Sequence, residues 1–347
     1  MSSPTTDQAL QRLLAQGRAR ARATDPDHAR LWDALISATE GGKRFRPALV
    51  VATHDALGGG AGSAAAVTGA AVELLHTALV VHDDVIDGDD VRRGRPNVNG
   101  TVCAGALAGG ATLDQALHLG RTAGILAGDL ALAAAIRAVA TCGASPAVTH
   151  RLLDLFDAAL HTTAAGELAD VRLSLRSGAA SLAESLAMEE QKTSAYSFAL
   201  PLQAGAVLAG ADDTTVERLG EAGRMLGVAF QLVDDLLGVF GDPVRTGKSA
   251  TSDLRAGKQT PLLAHARSTP EWVHIASYVG RELTQDELSE ARRLLTDSGS
   301  RRFVEDLAAA HREAARAVVE ELGISADLLE AVTMLPVGLA DSHEVAV

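Results

Sequence analysis

A chain of 347 residues that is 47% hydrophobic, 3% aromatic and carries a net charge of −13 has ample material for a large core. The acid is spread along the chain, which argues against nonspecific nucleic-acid binding. No apolar run reaches eighteen residues without a charge, so no membrane span is expected, and the N-terminal stretch lacks the apolar core of a signal peptide.

Cys103 and Cys142 give neither a disulfide framework nor a metal-ligand spacing, and a reducing, cytoplasmic compartment is the natural reading. Ala, Leu and Val dominate, proline is scarce, and no short strands recur at even spacing. That pattern predicts an all-α protein. No repeat and no Pro/Ser-rich linker divides the chain, so 1–347 reads as one domain, a bundle of long helices.

Taken in order, the periodicity predicts helices over 7–23, opened by Thr5, Thr6 or Asp7, and over 28–40, stopped by Gly41-Gly42. Arg18, Arg20 and Arg22 read as a solvated face. Lys43-Arg44-Phe45-Arg46-Pro47 follows, and Lys43 and Arg46 sit where a diphosphate could be gripped. An ordinary cap followed by a first-turn proline explains the same residues. Helices are predicted over 46–57, ended by GGGAG, and over 63–88. A loop is expected from about 94 to 111. Long helices follow over 112–140 and 146–175, the first with small residues at a spacing that suits tight helix contact. Residues 181–209 continue as helix with a kink at Pro201, and 213–239 is a further long apolar helix. The last third holds shorter helices, about 253–266, 271–280, 284–296, 301–320 and 325–333.

The helix over 63–88 delivers five carboxylates within eight residues: Asp83, Asp84, Asp87, Asp89 and Asp90. Arg92, Arg93 and Arg95 come next. Asp83 and Asp84 lie four and three residues before Asp87, so the three can share one helical face. Two carboxylates ~6 Å apart at an effective dielectric of ~20 repel by roughly 3 kcal/mol. A buried helix end of this kind needs a cation, and an oxygen-only ligand set favours Mg²⁺ held together with substrate phosphates. The bland alternative is a solvated acidic helix end. A second apolar helix ends in Asp234-Asp235, set against the helix's negative pole. Phe230, Leu232, Val233, Leu236 and Leu237 flank the pair, and Lys248, Asp253, Arg255 and Lys258 follow. A Lys192-Thr193 pair sits within another apolar helix. Together these suit a cavity with a Mg²⁺–diphosphate mouth and a hydrocarbon interior.

The chain resembles the trans-isoprenyl diphosphate synthases, or polyprenyl synthetases, and bacterial geranylgeranyl diphosphate synthases among them. The resemblance runs over about 35–265. It is carried by GGKRFRP (41–47), HDDVIDGDDVRRGRP (82–96), AGILAGDLAL (123–132), QKTSAYSFALPLQAGAVLAGA (191–211), FQLVDDLLGVFGDP (230–243) and GKSATSDLRAGKQT (247–260). It implies core helices around a central cavity, a homodimer, and condensation of isopentenyl diphosphate with an allylic diphosphate. Asp83, Asp84, Asp87 and Asp234 would hold Mg²⁺, three ions per site with substrate bound, and Asp235 would stand beside them. Arg92, Lys192, Thr193, Gln231, Lys248 and Lys258 would meet the allylic diphosphate, and Lys43, Arg46, His76 and Arg93 isopentenyl diphosphate. Without that context His76 is a plain core histidine. Bound metal and cations would stabilise charge on the leaving diphosphate, and an apolar interior would keep water from the allylic cation. The departing diphosphate is the base that the resemblance suggests.

Two departures stand out. Gly238 takes the place of a third aspartate found in many relatives, and Asn97 and Asn99 replace the Thr and His that often follow RRGxP. Product length is read from residues ahead of the first motif, where relatives use bulky aromatics to block chain growth. Here those positions hold Ala78 and Leu79, about 7.5 Å of helix from the aspartates. Leu74 and Leu75 lie one turn deeper. A fifteen-carbon floor is therefore disfavoured, and geranylgeranyl diphosphate is expected. A class I terpene cyclase is the first alternative. Its second motif wants a Ser or Thr and then a Glu where this chain has Gly238 and Asp242. A non-catalytic subunit of a heteromeric synthase is the second, and it is expected to lack carboxylates that Asp83, Asp84 and Asp87 retain.

Overall fold

The computed structural model describes residues 5–60, 62–176, 178–241 and 252–329, with the side chain of Ser252 left aside. As the periodicity predicts, the described chain is all-α, with one two-stranded ribbon. The first helices are α1 (Thr6–Thr24), α2 (Pro26–Ala38), α3 (Phe45–Ala56) and α4 (Ser63–Asp87). Thr5 caps α1 in a reciprocal box with Gln8, and Gly88, at φ 73°, closes α4.

The expected loop over 94–111 is a correction. Val91–Arg92 pairs antiparallel with Arg95–Pro96, and α5 (Val98–Ala108) follows. The missed signal is Asn97, whose side chain accepts from Gly100 N–H at 2.9 Å and donates to the Asp89 carbonyl at 2.7 Å. Asn99 fills the notch at Gly124 of α6 (Leu113–Ala140), where a Cβ would lie 2.0 Å from Asn99 Oδ1. The two asparagines therefore build a local packing of their own.

Contact clustering divides the chain into two compact units, one from residues up to 158 with 200–217 and the other from 159–199 with 218 onward. In the first unit α4 packs on α3 and α6, and α5 on α6. Small residues of α6 permit the approach. A Cβ at Gly128 would meet the His82 ring at 2.2 Å. Leu74, Leu75 and Ala78 of α4 are buried in this core, as are Leu35, Leu49 and Val50. α4 and α6 are each long and apolar enough to cross a membrane, contrary to the expectation from charge. The apolar window is 72% inside the protein in α4, as in a core helix, and 50% inside in α6.

The second unit takes part of α7 (Pro146–Leu175), then α8 (Leu182–Glu189) and a π-helix over Glu190–Ala199. Next come α9 (Leu200–Ala209), which returns to the first unit, and α10 (Asp213–Phe240). The expected kink at Pro201 is a second correction. The distortion is the π-helical stretch that ends just before it, and Pro201 falls in the first turn of α9. A proline there removes one amide donor and crowds the carbonyl four residues earlier, and a wider turn upstream relieves both. Three glycines seat this π-helix. Cβ atoms at Gly166, Gly223 and Gly227 would lie 2.2 Å from Lys192 N, 2.5 Å from Ala199 Cα and 2.4 Å from Ser194 Cβ.

The predicted helix over 253–266 is two, α11 (Ser252–Ala256) and α12 (Pro261–Ala266), separated by Gly257 at φ 61°. The region 271–280 is α13 (Trp272–Ile275) and a 3₁₀ turn over Ala276–Tyr278. α14 (Gln285–Asp297) and α15 (Ser300–Glu321) complete the unit. Its core joins Leu232, Leu236 and Val239 of α10 to Leu254, Leu262, Leu288, Leu295 and Val304. Of the last predicted helix, 330–333 lies outside the described residues.

Candidate active site

The first acidic centre forms at the C-terminal turn of α4. Asp84 is 2% exposed, Asp83 is partly buried and Asp87 is exposed. Arg92, one residue into the ribbon, donates from Nε to Asp84 Oδ1 at 2.7 Å and from Nη2 to Asp83 Oδ2 at 3.0 Å. Burial pushes the Asp84 carboxyl up to about 6, with Arg92 opposing and Asp83 and Asp89 reinforcing. The cation demanded by the spacing of the aspartates is therefore present as a side chain of the same hairpin.

Beside it lies a cleft lined by Glu73, His76, Thr77, Asp84, Arg92 and Arg93 among others. His76 is held well below its usual range by burial and then by Arg46, Arg93, Arg92 and Arg44, so its imidazole is neutral. Arg93, at φ 53°, donates to the Glu40 carbonyl at 3.1 Å. Arg46 lies over the Phe45 ring at 4.4 Å, and Lys43 is exposed. The expected isopentenyl diphosphate residues thus include two, His76 and Arg93, on one cleft wall. Sequence reading missed Arg44 and Glu73, which pair at 2.7 Å. The signal was available, since Glu73 is the one acid in the apolar run of α4 that precedes the aspartates. Of the chain-length residues, Leu74, Leu75 and Ala78 are buried and Leu79 is partly exposed.

The second acidic centre lies on α10. Asp234 is partly exposed and Asp235 is 7% exposed. Burial pushes Asp235 up to about 8, opposed by a hydrogen bond from Glu189 and reinforced by Asp253 and Asp234. Glu189, at the end of α8, is raised by burial and by Asp235. Glu189 Oε2 and Asp235 Oδ2 are buried and find no partner beyond the contact that the two carboxyls make with each other. Lys192, in the π-helix, reaches Asp170 Oδ2 at 2.6 Å and Glu167 Oε1 at 3.2 Å, both on α7. Thr193 and Gln231 are partly buried. Lys258 lies 3.4 Å from Asp253 Oδ1. Lys248 and Asp242 lie outside the described residues. Sequence reading also missed Glu189, Glu167 and Asp170 as members of this cluster.

Oxygen donors alone, some of them buried, suit a hard cation such as Mg²⁺. Among the described residues no three His, Cys, Asp or Glu side chains are grouped to hold an ion by themselves. Mg²⁺ is ordinarily held by one or two carboxylates together with phosphate oxygens and water, so the donor set fits that arrangement.

The family profile described as Polyprenyl synthetase matches residues 29–295, and the chain belongs to that family. It is 33% identical over 300 residues to a geranylfarnesyl diphosphate synthase of Aeropyrum pernix, covering 85% of this chain and 88% of that one. It is 37% identical over 292 residues to a (2E,6E)-farnesyl diphosphate synthase of Mycobacterium bovis, covering 82% and 75%. Its fold matches a geranylgeranyl pyrophosphate synthase of Corynebacterium glutamicum, solved with isoprenyl diphosphate and magnesium. The TM-score is 0.85 at 29% identity, over 95% of each chain. The protein is a prenyl diphosphate synthase, a transferase of prenyl groups.

Proposed function

We propose that the protein condenses isopentenyl diphosphate with an allylic diphosphate to make geranylgeranyl diphosphate, as a cytoplasmic homodimer using Mg²⁺. The observation that carries the reaction is the buried Asp84, held by Arg92 on the rim of a cationic cleft. Asp83, Asp84 and Asp87 of the first centre and Asp234 of the second would hold the metal, with Asp235 next to Asp234 on α10. When bound it would neutralise charge gathering on the departing diphosphate. Arg92, Lys192, Thr193, Gln231, Lys248 and Lys258 orient that diphosphate. Lys43, Arg46, His76 and Arg93 hold isopentenyl diphosphate. A neutral His76 donates one N–H to an anion without adding charge to the arginines around it. The apolar interior excludes water from the allylic cation.

The homodimer is supported by apolar residues left exposed on α5 and α6: Leu107, Leu113, Leu119, Ile125 and Leu126. Chain length rests on Leu79, the partly exposed residue one turn before Asp83. It is smaller than an aromatic and leaves room for growth past fifteen carbons. Product chromatography after incubation with Mg²⁺, isopentenyl and farnesyl diphosphates is expected to give a twenty-carbon diphosphate. A fifteen-carbon end product refutes the length, and no condensation refutes the reaction.

A further inference from the structure

Glu73 is a buried acid with half of its hydrogen bonding unfilled. It lies on α4 three residues before His76, on the same face of the helix, and is 5% exposed. Its Oε1 accepts from Arg44 Nη1 at 2.7 Å. Its Oε2 is buried and has no hydrogen-bond partner. Taking a carboxylate out of water on those terms is costly, and such an oxygen calls for a reason.

The reason lies in what Arg44 holds. The same guanidinium donates from Nη2 to the Thr39 carbonyl, just past the end of α2. Arg44 enters α3 at φ 55°, and Arg93 stands in the hairpin at φ 53°. Among the described residues these are the two non-glycine residues in the left-handed region. A side chain costs energy there, so the conformation persists only where its surroundings fix it. Glu73 and the Thr39 carbonyl fix Arg44, and the Glu40 carbonyl fixes Arg93. The Gly41-Gly42 turn runs between them. A Cβ at Gly42 would lie 3.5 Å from Glu73 Oε1 and 3.9 Å from Arg93 Nη1. Glu73 therefore underlies the turn that leads to Lys43, with Arg93 beside it.

The charges agree with the geometry. Arg44, Arg46, Arg92 and Arg93 all bear on the His76 ring, and Glu73 favours the charged form of Arg93. Cations gathered to receive an anion repel one another, and a buried carboxylate among them offsets that repulsion.

We propose that Glu73 is a positioning residue for isopentenyl diphosphate. Through Arg44 it fixes the 41–46 turn that presents Lys43 and Arg46, and its second oxygen is the counter-charge that lets the cations of this cleft stand together. This rests on the prenyl-transfer reading above. Glu73 touches no reacting atom, so its effect falls on the capture of one substrate and leaves the chemical step alone.

The test uses the full chain. Binding of isopentenyl diphosphate is followed by calorimetry without metal or allylic substrate, and steady-state kinetics are measured with Mg²⁺ and both substrates. Glu73→Gln is expected to weaken binding about tenfold and to raise the KM for isopentenyl diphosphate alike, with kcat and the allylic KM within about twofold of wild type. Arg44→Gln should match it. The double variant should bind no more weakly than either single one, since both act through one pair. A residue that only holds the fold together would lower the melting temperature without that split. Wild-type affinity in Glu73→Gln overturns the proposal, as do losses that multiply in the double variant. If thermal melts show Glu73→Gln unfolded, Arg44→Lys decides alone, because it keeps the charge and loses the fork that reaches both partners. A tenfold loss there supports the proposal and wild-type affinity overturns it. A wild-type protein that binds isopentenyl diphosphate but condenses nothing refutes the prenyl-transfer reading and leaves Glu73 to be judged on binding. One that binds none overturns both.

Discussion

Asp235→Asn should stabilise the protein while disabling it, and the size of the effect follows from burial. The aspartate is 7% exposed and its carboxyl is pushed up to about 8 from an ordinary 3.8. Between those two values the folded chain keeps a proton that the unfolded chain releases. Stability therefore falls as pH rises through that window. At pH 7 the cost is at most about 4 kcal/mol, at 1.36 kcal/mol per pH unit. Glu189 shares the burden, and an amide has its own desolvation cost, so a gain of about 2 kcal/mol is expected at pH 7. At pH 4, close to the unfolded-state value of 3.8, most of that difference is gone and the gain should shrink towards zero. Thermal melts of the metal-free protein from pH 4 to pH 8 read this directly, as a separation of a few degrees that opens with pH. Prenyl transfer by the variant should fall. A variant less stable than wild type at pH 7, or a gain that is the same at pH 4, would refute the reasoning.

Gly166→Val should act through the π-helix. Its first side-chain carbon would lie 2.2 Å from the Lys192 amide nitrogen, and a backbone atom cannot swing aside. Overpacking of this kind costs typically 1–3 kcal/mol. Denaturant unfolding should show that loss, and activity should drop with it as Lys192 leaves Asp170 and Glu167. His76 should contribute a pH dependence of opposite sense to Asp235. Its folded pKa lies well below 6.5, so the unfolded chain binds the proton first and stability falls as pH drops below about 6.5. Melts at pH 5 and 7 should show a shallower slope in His76→Gln, and parallel slopes would contradict the assignment of a neutral ring.

Much of the architecture is local information. Thr5, Gly88 and the runs of apolar residues at 3.6 spacing mark helix ends and faces within a turn or two, so α4 and α6 were legible to within a residue or so. The two acidic stretches were legible for the same reason, because DDVID and VDD are contiguous. Asn97 was equally local and went unread, which cost α5. The π-helix was not legible from Pro201, because glycines 26 residues before Lys192 and 31 and 35 residues after it, at 166, 223 and 227, seat it from other helices. Arg92 was expected on a diphosphate, and only the hairpin fold turns it onto Asp84 and Asp83.

What the sequence determined by itself was the helical class, the helix ends and the two clusters of carboxylates, all set by chemistry between near neighbours. Which cation sits on which carboxylate was decided only in three dimensions. So was the burial that moves Asp84 and Asp235 in opposite company, and so was the pairing of Arg44 with Glu73 across 29 residues of chain. Such pairings depend on how closely helices approach, and that distance is set by small residues far away along the chain.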